Sequence, residues 1–205
     1  MRPRRFTLLA TIAAGAVAAA IVAAVSVATL GDPRTVSRFD HFSNAGTAVS
    51  PQTISLQDQQ TLTSGGARVG LNTLGSRAGT RFYTAPGAAG GLCFATGAAT
   101  TGHLGVLACP SPGANDEAAF PSAEEPILNM SHVTFDFDKR VTRILTLAGF
   151  AADGVARVGV LDPNGVLHGA SVVGNTYSRE LPGIEAVALL ALDASGGEVY
   201  RKRFR

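Results

Sequence analysis

The side chains with the most reactive chemistry in this sequence are its only two cysteines, Cys93 and Cys109. A cysteine thiolate can act as a nucleophile or bind a metal. An even number of cysteines in an oxidising compartment, however, usually forms disulfides. The N-terminal sequence, described below, predicts export, so we expect a Cys93–Cys109 disulfide. It would join two neighbouring strands.

A serine nucleophile has little support in this chain. Gly169-Ala-Ser171-Val-Val-Gly174 comes nearest to the G-x-S-x-G motif, but its second glycine is one place late. The apolar neighbours of Ser171 suit a strand better than a sharp nucleophile turn. We therefore predict no serine-hydrolase site.

The histidines form no metal-binding motif. They are scattered, without H-E-x-x-H or an i, i+4 pair, at His41, His103, His132 and His168. His132, Asp136 and Asp138 would share one face of a strand, but such side chains commonly serve solubility alone. We predict no metal site and no cofactor.

Paired carboxylates remain as a route to hydrolysis. Four glutamates lie near predicted loops: Glu124, Glu125, Glu180 and Glu185. Glycosidases use two such groups, but the sequence does not say which of these would meet. The chain has no tryptophan for stacking on sugars, although Tyr83, Tyr177 and Tyr200 remain. No catalytic residue is assigned.

The N-terminus predicts a membrane span. Residues 1–5 are basic, and the next 25 residues, 6–30, carry no charge. As a helix this run is about 37 Å long, enough to cross a hydrocarbon layer of about 30 Å. The preceding arginines keep the N-terminus in the cytoplasm and send the rest across the membrane. A cleaved signal peptide is the alternative, since Ser26-Val27-Ala28 fits a cleavage site.

The remaining chain divides into a predicted stalk and a predicted β-domain. Residues 31–66 are rich in Thr, Ser, Gln, Gly and Pro, which is typical of a flexible stalk. Residues 67–205 alternate short β-prone runs with turns, including Leu-Asp-x-x-Gly turns at 161–165 and 192–196. No amphipathic helix is apparent after residue 30. We predict an all-β, antiparallel sandwich or barrel-like domain outside the membrane.

Charge gives little information about partners. The formal net charge is +2. Without Arg2, Arg4, Arg5 and Asp32, the remaining basic and acidic residues are equal in number, so we expect no nucleic acid partner. The end, residues 201–205, is basic. It could contact anionic lipid or an acidic polymer, or it could simply protect an edge strand from aggregation.

The leader, the stalk, the cysteine pair and the Leu-Asp-x-x-Gly turns together resemble single-pass exported proteins of high-GC bacteria. That resemblance implies no activity. We expect a membrane-anchored binding or scaffolding module that contacts an envelope protein or polymer. The alternative is an exported hydrolase with a carboxylate site built from loops. A pocket shared by two of the four glutamates would favour the enzyme, and an apolar surface would favour the binder. The oligomeric state is left open.

The first prediction concerns topology. Because the uncharged run is long enough to span a bilayer, we expect the mature chain to retain residues 1–30 in the membrane fraction, with Arg205 outside. N-terminal sequencing of the mature protein checks this. A chain beginning at Thr29 would show a cleaved signal instead.

Overall fold

Antiparallel strands make up most of the part of the chain that the structure, a computed structural model, describes. The described residues are 47–49, 53–110, 120, 124–136 and 141–204. The elements are β1 (Thr47–Val49), α1 (Leu56–Ser64), β2 (Leu71–Arg77), β3 (Thr80–Pro86), β4 (Leu92–Ala98), β5 (Leu104–Ala108), β6 (Ile127–Asn129), β7 (His132–Asp136), β8 (Val141–Ala151), β9 (Arg157–Leu161), β10 (Leu167–Ser171), β11 (Thr176–Glu185), β12 (Ala188–Leu192) and β13 (Glu198–Arg203). The predicted β-rich, antiparallel class is confirmed, with α1 as an added helix.

The strands form three sheets. The N-terminal sheet is a meander in the order β1-β2-β3-β4-β5. The β8 sheet has β11 on one side of β8, while β6 and β7 pair with different segments of its other side. The hairpin sheet has the order β10-β9-β12-β13. All strand pairs are antiparallel, as short turns between successive strands require.

The N-terminal sheet is buried on both faces, because successive residues of a strand point to opposite sides. On one face Tyr83 and Ala95 pack with Leu62 of α1. On the other, Phe82 and Phe94 pack with Phe150 of β8. The ring centroids of Phe82 and Phe150 are 5.5 Å apart, and those of Phe94 and Phe150 are 4.9 Å apart. This aromatic cluster joins the N-terminal sheet to the β8 sheet.

The predicted cysteine pair lies at the edge of this sheet. Cys93 is fully buried in β4, and Cys109 follows β5. The register pairs Phe94 with Ala108, so the two cysteines lie opposite each other. Their sulfur atoms are 2.02 Å apart, at disulfide bonding distance.

The two Leu-Asp-x-x-Gly turns close equivalent hairpins. In each, the aspartate carboxylate accepts two backbone N–H bonds: Asp162 from Asn164 and Val166, Asp193 from Ser195 and Gly197. In each turn one oxygen, the aspartate Oδ1, accepts both bonds. The short aspartate side chain can reach the amides two and four residues further along the chain. These hairpins, β9–β10 and β12–β13, lie side by side.

The structure differs from the predicted stalk at two elements. β1 pairs with β2, and α1 buries Leu62 completely. Ser55 caps α1, with its Oγ accepting from the Asp58 N–H at 3.1 Å. Only two residues of α1 are buried, so the apolar periodicity of this helix is too weak to see in the sequence. No helix among the described residues is long and apolar enough to span a membrane, and the predicted span at 6–30 lies outside them.

A prediction follows for the closing strand. Phe204 is half-buried against the core cluster that the hairpin sheet shares with the β8 sheet, whereas Arg203 is exposed. We expect Phe204→Ala to lower the free energy of unfolding by about 1–3 kcal/mol, less than the roughly 3–5 kcal/mol of a fully buried phenylalanine. Arg203→Ala should cost under about 0.5 kcal/mol. Urea unfolding of the two full-length variants checks this, and equal losses would contradict it.

Candidate functional site

A polar cavity of about 310 Å³ lies between the start of α1 and one face of the N-terminal sheet. The helix contributes Ser55 and Asp58, and β2 contributes Thr73. Arg81 and Tyr83 project from β3, because alternate residues of a strand share a face. The loop before β5 supplies Thr101, Gly102 and His103. Residues far apart in sequence therefore meet around one space.

Asp58 is the most constrained side chain of this cavity. Its carboxylate accepts hydrogen bonds from Ser55 Oγ at 2.7 Å and from the Leu104 N–H at 3.0 Å. His103 Nδ1 lies 3.2 Å from the same carboxylate. Burial of the Asp58 carboxyl raises its pKa, but the bonds from Ser55, Leu104 and His103 outweigh burial and hold that pKa below its usual value. Asp58 is therefore ionised at neutral pH and fixed from three sides.

The loop that carries His103 depends on a glycine. Gly97 of β4 passes so close that a Cβ there would lie 2.0 Å from the backbone oxygen of His103. Because that neighbour is backbone and cannot swing away, any side chain at Gly97 would displace the loop. The glycine thus leaves room for the loop to lie where His103 contacts Asp58.

A second space, the apolar cleft, lies on the opposite face of the N-terminal sheet. It has a volume of about 510 Å³ and lies between β3–β5 and the segment from Met130 to β8. Gly97 and Gly105 line the cleft without contributing a side chain. Val106 and Val133 also line it, and they are 43% and 45% exposed. The apolar side chains Val133 and Phe135 of β7 are exposed.

The residues considered from the sequence lie elsewhere. Glu124, Glu125, Glu180 and Glu185 line neither the polar cavity nor the apolar cleft. Ser171 ends β10 at an exposed position. His132 and Asp136 lie at the two ends of β7, Asp138 lies outside the described residues, and no group of three metal-binding side chains occurs in the described part.

Sequence reasoning missed the pairing of Asp58 with His103. The two are 45 positions apart, and neither belongs to a motif that joins them. One signal was present: Ser55-Leu-Gln-Asp58 has the spacing of a capping box, which marks a helix start and places an acidic residue at its third position. Nothing in the sequence indicates which histidine would meet that carboxylate.

Comparison of the chain with protein-family models, with curated proteins and with solved structures finds no match. The geometry of the described residues alone therefore carries the functional argument.

Asp58 generates a prediction about acid stability. Its folded pKa is below the unfolded value of about 3.9. Its stabilising contribution is therefore complete above pH 4 and disappears as pH falls through the folded pKa. Asp58→Asn should cost about 1–3 kcal/mol at pH 7, and the deficit should shrink at pH 3. Urea unfolding at both pH values checks this.

The exposed Glu124→Gln variant is the control, and it should unfold like the wild type at both pH values. A deficit for Asp58→Asn that is equally large at pH 3 would contradict the linkage.

Proposed function

We propose that the chain is a membrane-anchored, extracytoplasmic binding module. In this proposal the strands form a sandwich whose apolar cleft holds an extended segment of an envelope protein. The observation that carries it is the apolar cleft itself, which lies between two strands that, in the described part of the chain, are each paired on one side only. Anchoring by residues 6–30 belongs to the same proposal and rests on the N-terminal sequence.

The open strand edges favour a peptide over a lipid chain. Among the described residues, β5 pairs only with β4, and β7 pairs only with β8. An edge strand presents backbone N–H and C=O groups, which an added strand can satisfy and an acyl chain cannot. Val106 and Val133 would then contact the apolar side chains of that segment.

The cleft also favours a binder over the alternative hydrolase. Its walls carry mostly glycine, threonine and aliphatic side chains, with His132 as the ionisable group at its edge. None of the four candidate glutamates lines it. A carboxylate hydrolase needs two acidic groups flanking the scissile bond, and the described residues that line this cleft include no carboxylate. An apolar cleft with open edges is instead suited to binding without chemistry.

Site-specific crosslinking tests the proposal. We expect benzoylphenylalanine at Val106 or Val133, in the full chain within its native membrane, to crosslink to one shared partner. Mass spectrometry of the adduct should identify a segment with alternating apolar residues, because alternation lets one side face the cleft. Val106→Asp should abolish the adduct formed from position 133.

Val199 gives a matched control, since it is 45% exposed and lies on β13 of the hairpin sheet. Crosslinks from Val199 to the same partner segment would contradict binding in the cleft. An adduct at Val106 that contains only lipid would also contradict it, as would the absence of any adduct.

A further inference from the structure

Arg81 forms no ion pair with a carboxylate among the described residues, although the ionised Asp58 lines the same cavity. Its Nη2 donates to the Ala99 carbonyl at 3.3 Å, and its Nε donates to Ser76 Oγ at 3.5 Å. Both are long bonds to neutral acceptors, whereas a guanidinium binds most strongly to a carboxylate through two parallel N–H donors. Arg81 lines the polar cavity, so an anionic group entering there would find unused donors.

His103 offers the complementary group. The ionised Asp58 can only accept hydrogen bonds, so the Nδ1 that faces it must carry the hydrogen. In the neutral imidazole, Nε2 is then an acceptor with a free lone pair. The side chain of His103 is 56% exposed, whereas that of Asp58 is 9% exposed. Asp58 thus positions the ring while the ring stays reachable.

Hydroxyl groups also line the cavity, beside the apolar side chains of Val49, Ile54 and Leu71. Thr73 and Thr101 border the cavity, and Tyr83 donates its hydroxyl hydrogen to the Gly102 carbonyl at 3.3 Å. Each of these oxygens can accept a further hydrogen bond. A volume of about 310 Å³ is at the small end of ligand sites, which span about 300–1,000 Å³. A ligand that fits this cavity is therefore small, and hydroxyl groups on it would find these oxygens as partners.

We propose that this cavity binds a hydroxy acid of monosaccharide size, such as a hexuronic acid. The carboxylate lies against the Arg81 guanidinium, and one ligand hydroxyl donates to His103 Nε2. The remaining hydroxyls bond to the threonines. This site lies on the other face of the N-terminal sheet from the apolar cleft, and it does not depend on peptide binding there.

Titration calorimetry of the detergent-solubilised full chain tests the proposal, with D-glucuronate and D-glucose as probes. We expect saturable 1:1 binding of glucuronate and at least about tenfold weaker binding of glucose, since the loss of one charged pair is worth about that factor. Arg81→Gln should weaken glucuronate binding about tenfold or more. The exposed Arg68→Gln is the matched control and should bind as the wild type does.

Histidine NMR supplies a second readout. Glucuronate should shift the imidazole signal that His103→Leu removes, and it should leave the signal of His168, which faces Asp162 elsewhere, in place. If Arg81→Gln does not fold, the comparison of glucose with glucuronate on the unsubstituted chain still tests the need for a carboxylate. Calorimetry with galacturonate and with its trimer distinguishes a free acid from a unit of a polymer. A site for the free acid binds the monomer alone, whereas a site for a polymer unit also binds the trimer.

Three results would overturn the proposal. One is the absence of saturable glucuronate binding. Another is equal affinity for glucose and glucuronate. The third is an equal loss of affinity in Arg68→Gln and Arg81→Gln.

Discussion

The packing of Phe150 of β8 against Phe82 and Phe94 of the N-terminal sheet is the contact on which the arrangement of these two sheets depends. These rings are fully buried or nearly so, and tilted or edge-on pairs of this kind are stabilising beyond their buried area. A buried hydrogen bond from Ser178 of β11 to Thr80 of β3, 2.9 Å long, crosses the same boundary. Together they hold the N-terminal sheet against the β8 sheet and remove these aromatic rings from water.

Strand alternation in β3 and β4 separates the two candidate sites. Arg81 and Tyr83 face α1 and the polar cavity, while Thr80 faces the apolar cleft and Phe82 faces the aromatic cluster. A step of one residue along the strand therefore changes the site to which a side chain belongs. The N-terminal sheet therefore separates the polar cavity from the apolar cleft.

The two sites differ in how strongly the fold constrains them. In the polar cavity the Asp58 carboxylate is fixed by hydrogen bonds, and it orients His103 through the imidazole Nδ1. Gly97 leaves room for the loop that carries His103. Such preorganisation favours a small ligand with defined polar groups. The apolar cleft has exposed valines instead, and its strands β5 and β7 are each paired on one side only among the described residues, which suits the proposed extended segment. The physical contrast supports assigning different ligands to the two faces.

Much of the strand arrangement followed from the sequence, whereas the site did not. Local rules gave the β-rich class, the strands around Cys93 and Cys109 and the aspartate turns, because alternation and turn residues act over a few positions. The local rules did not predict the helix at Leu56–Ser64, because it buries only two residues and its composition is that of a linker. Only the tertiary structure decided that Asp58 meets His103 and that Arg81 lacks a carboxylate partner among the described residues. Such contacts between distant positions arise from the stacking of α1 on the sheet, which no local pattern encodes.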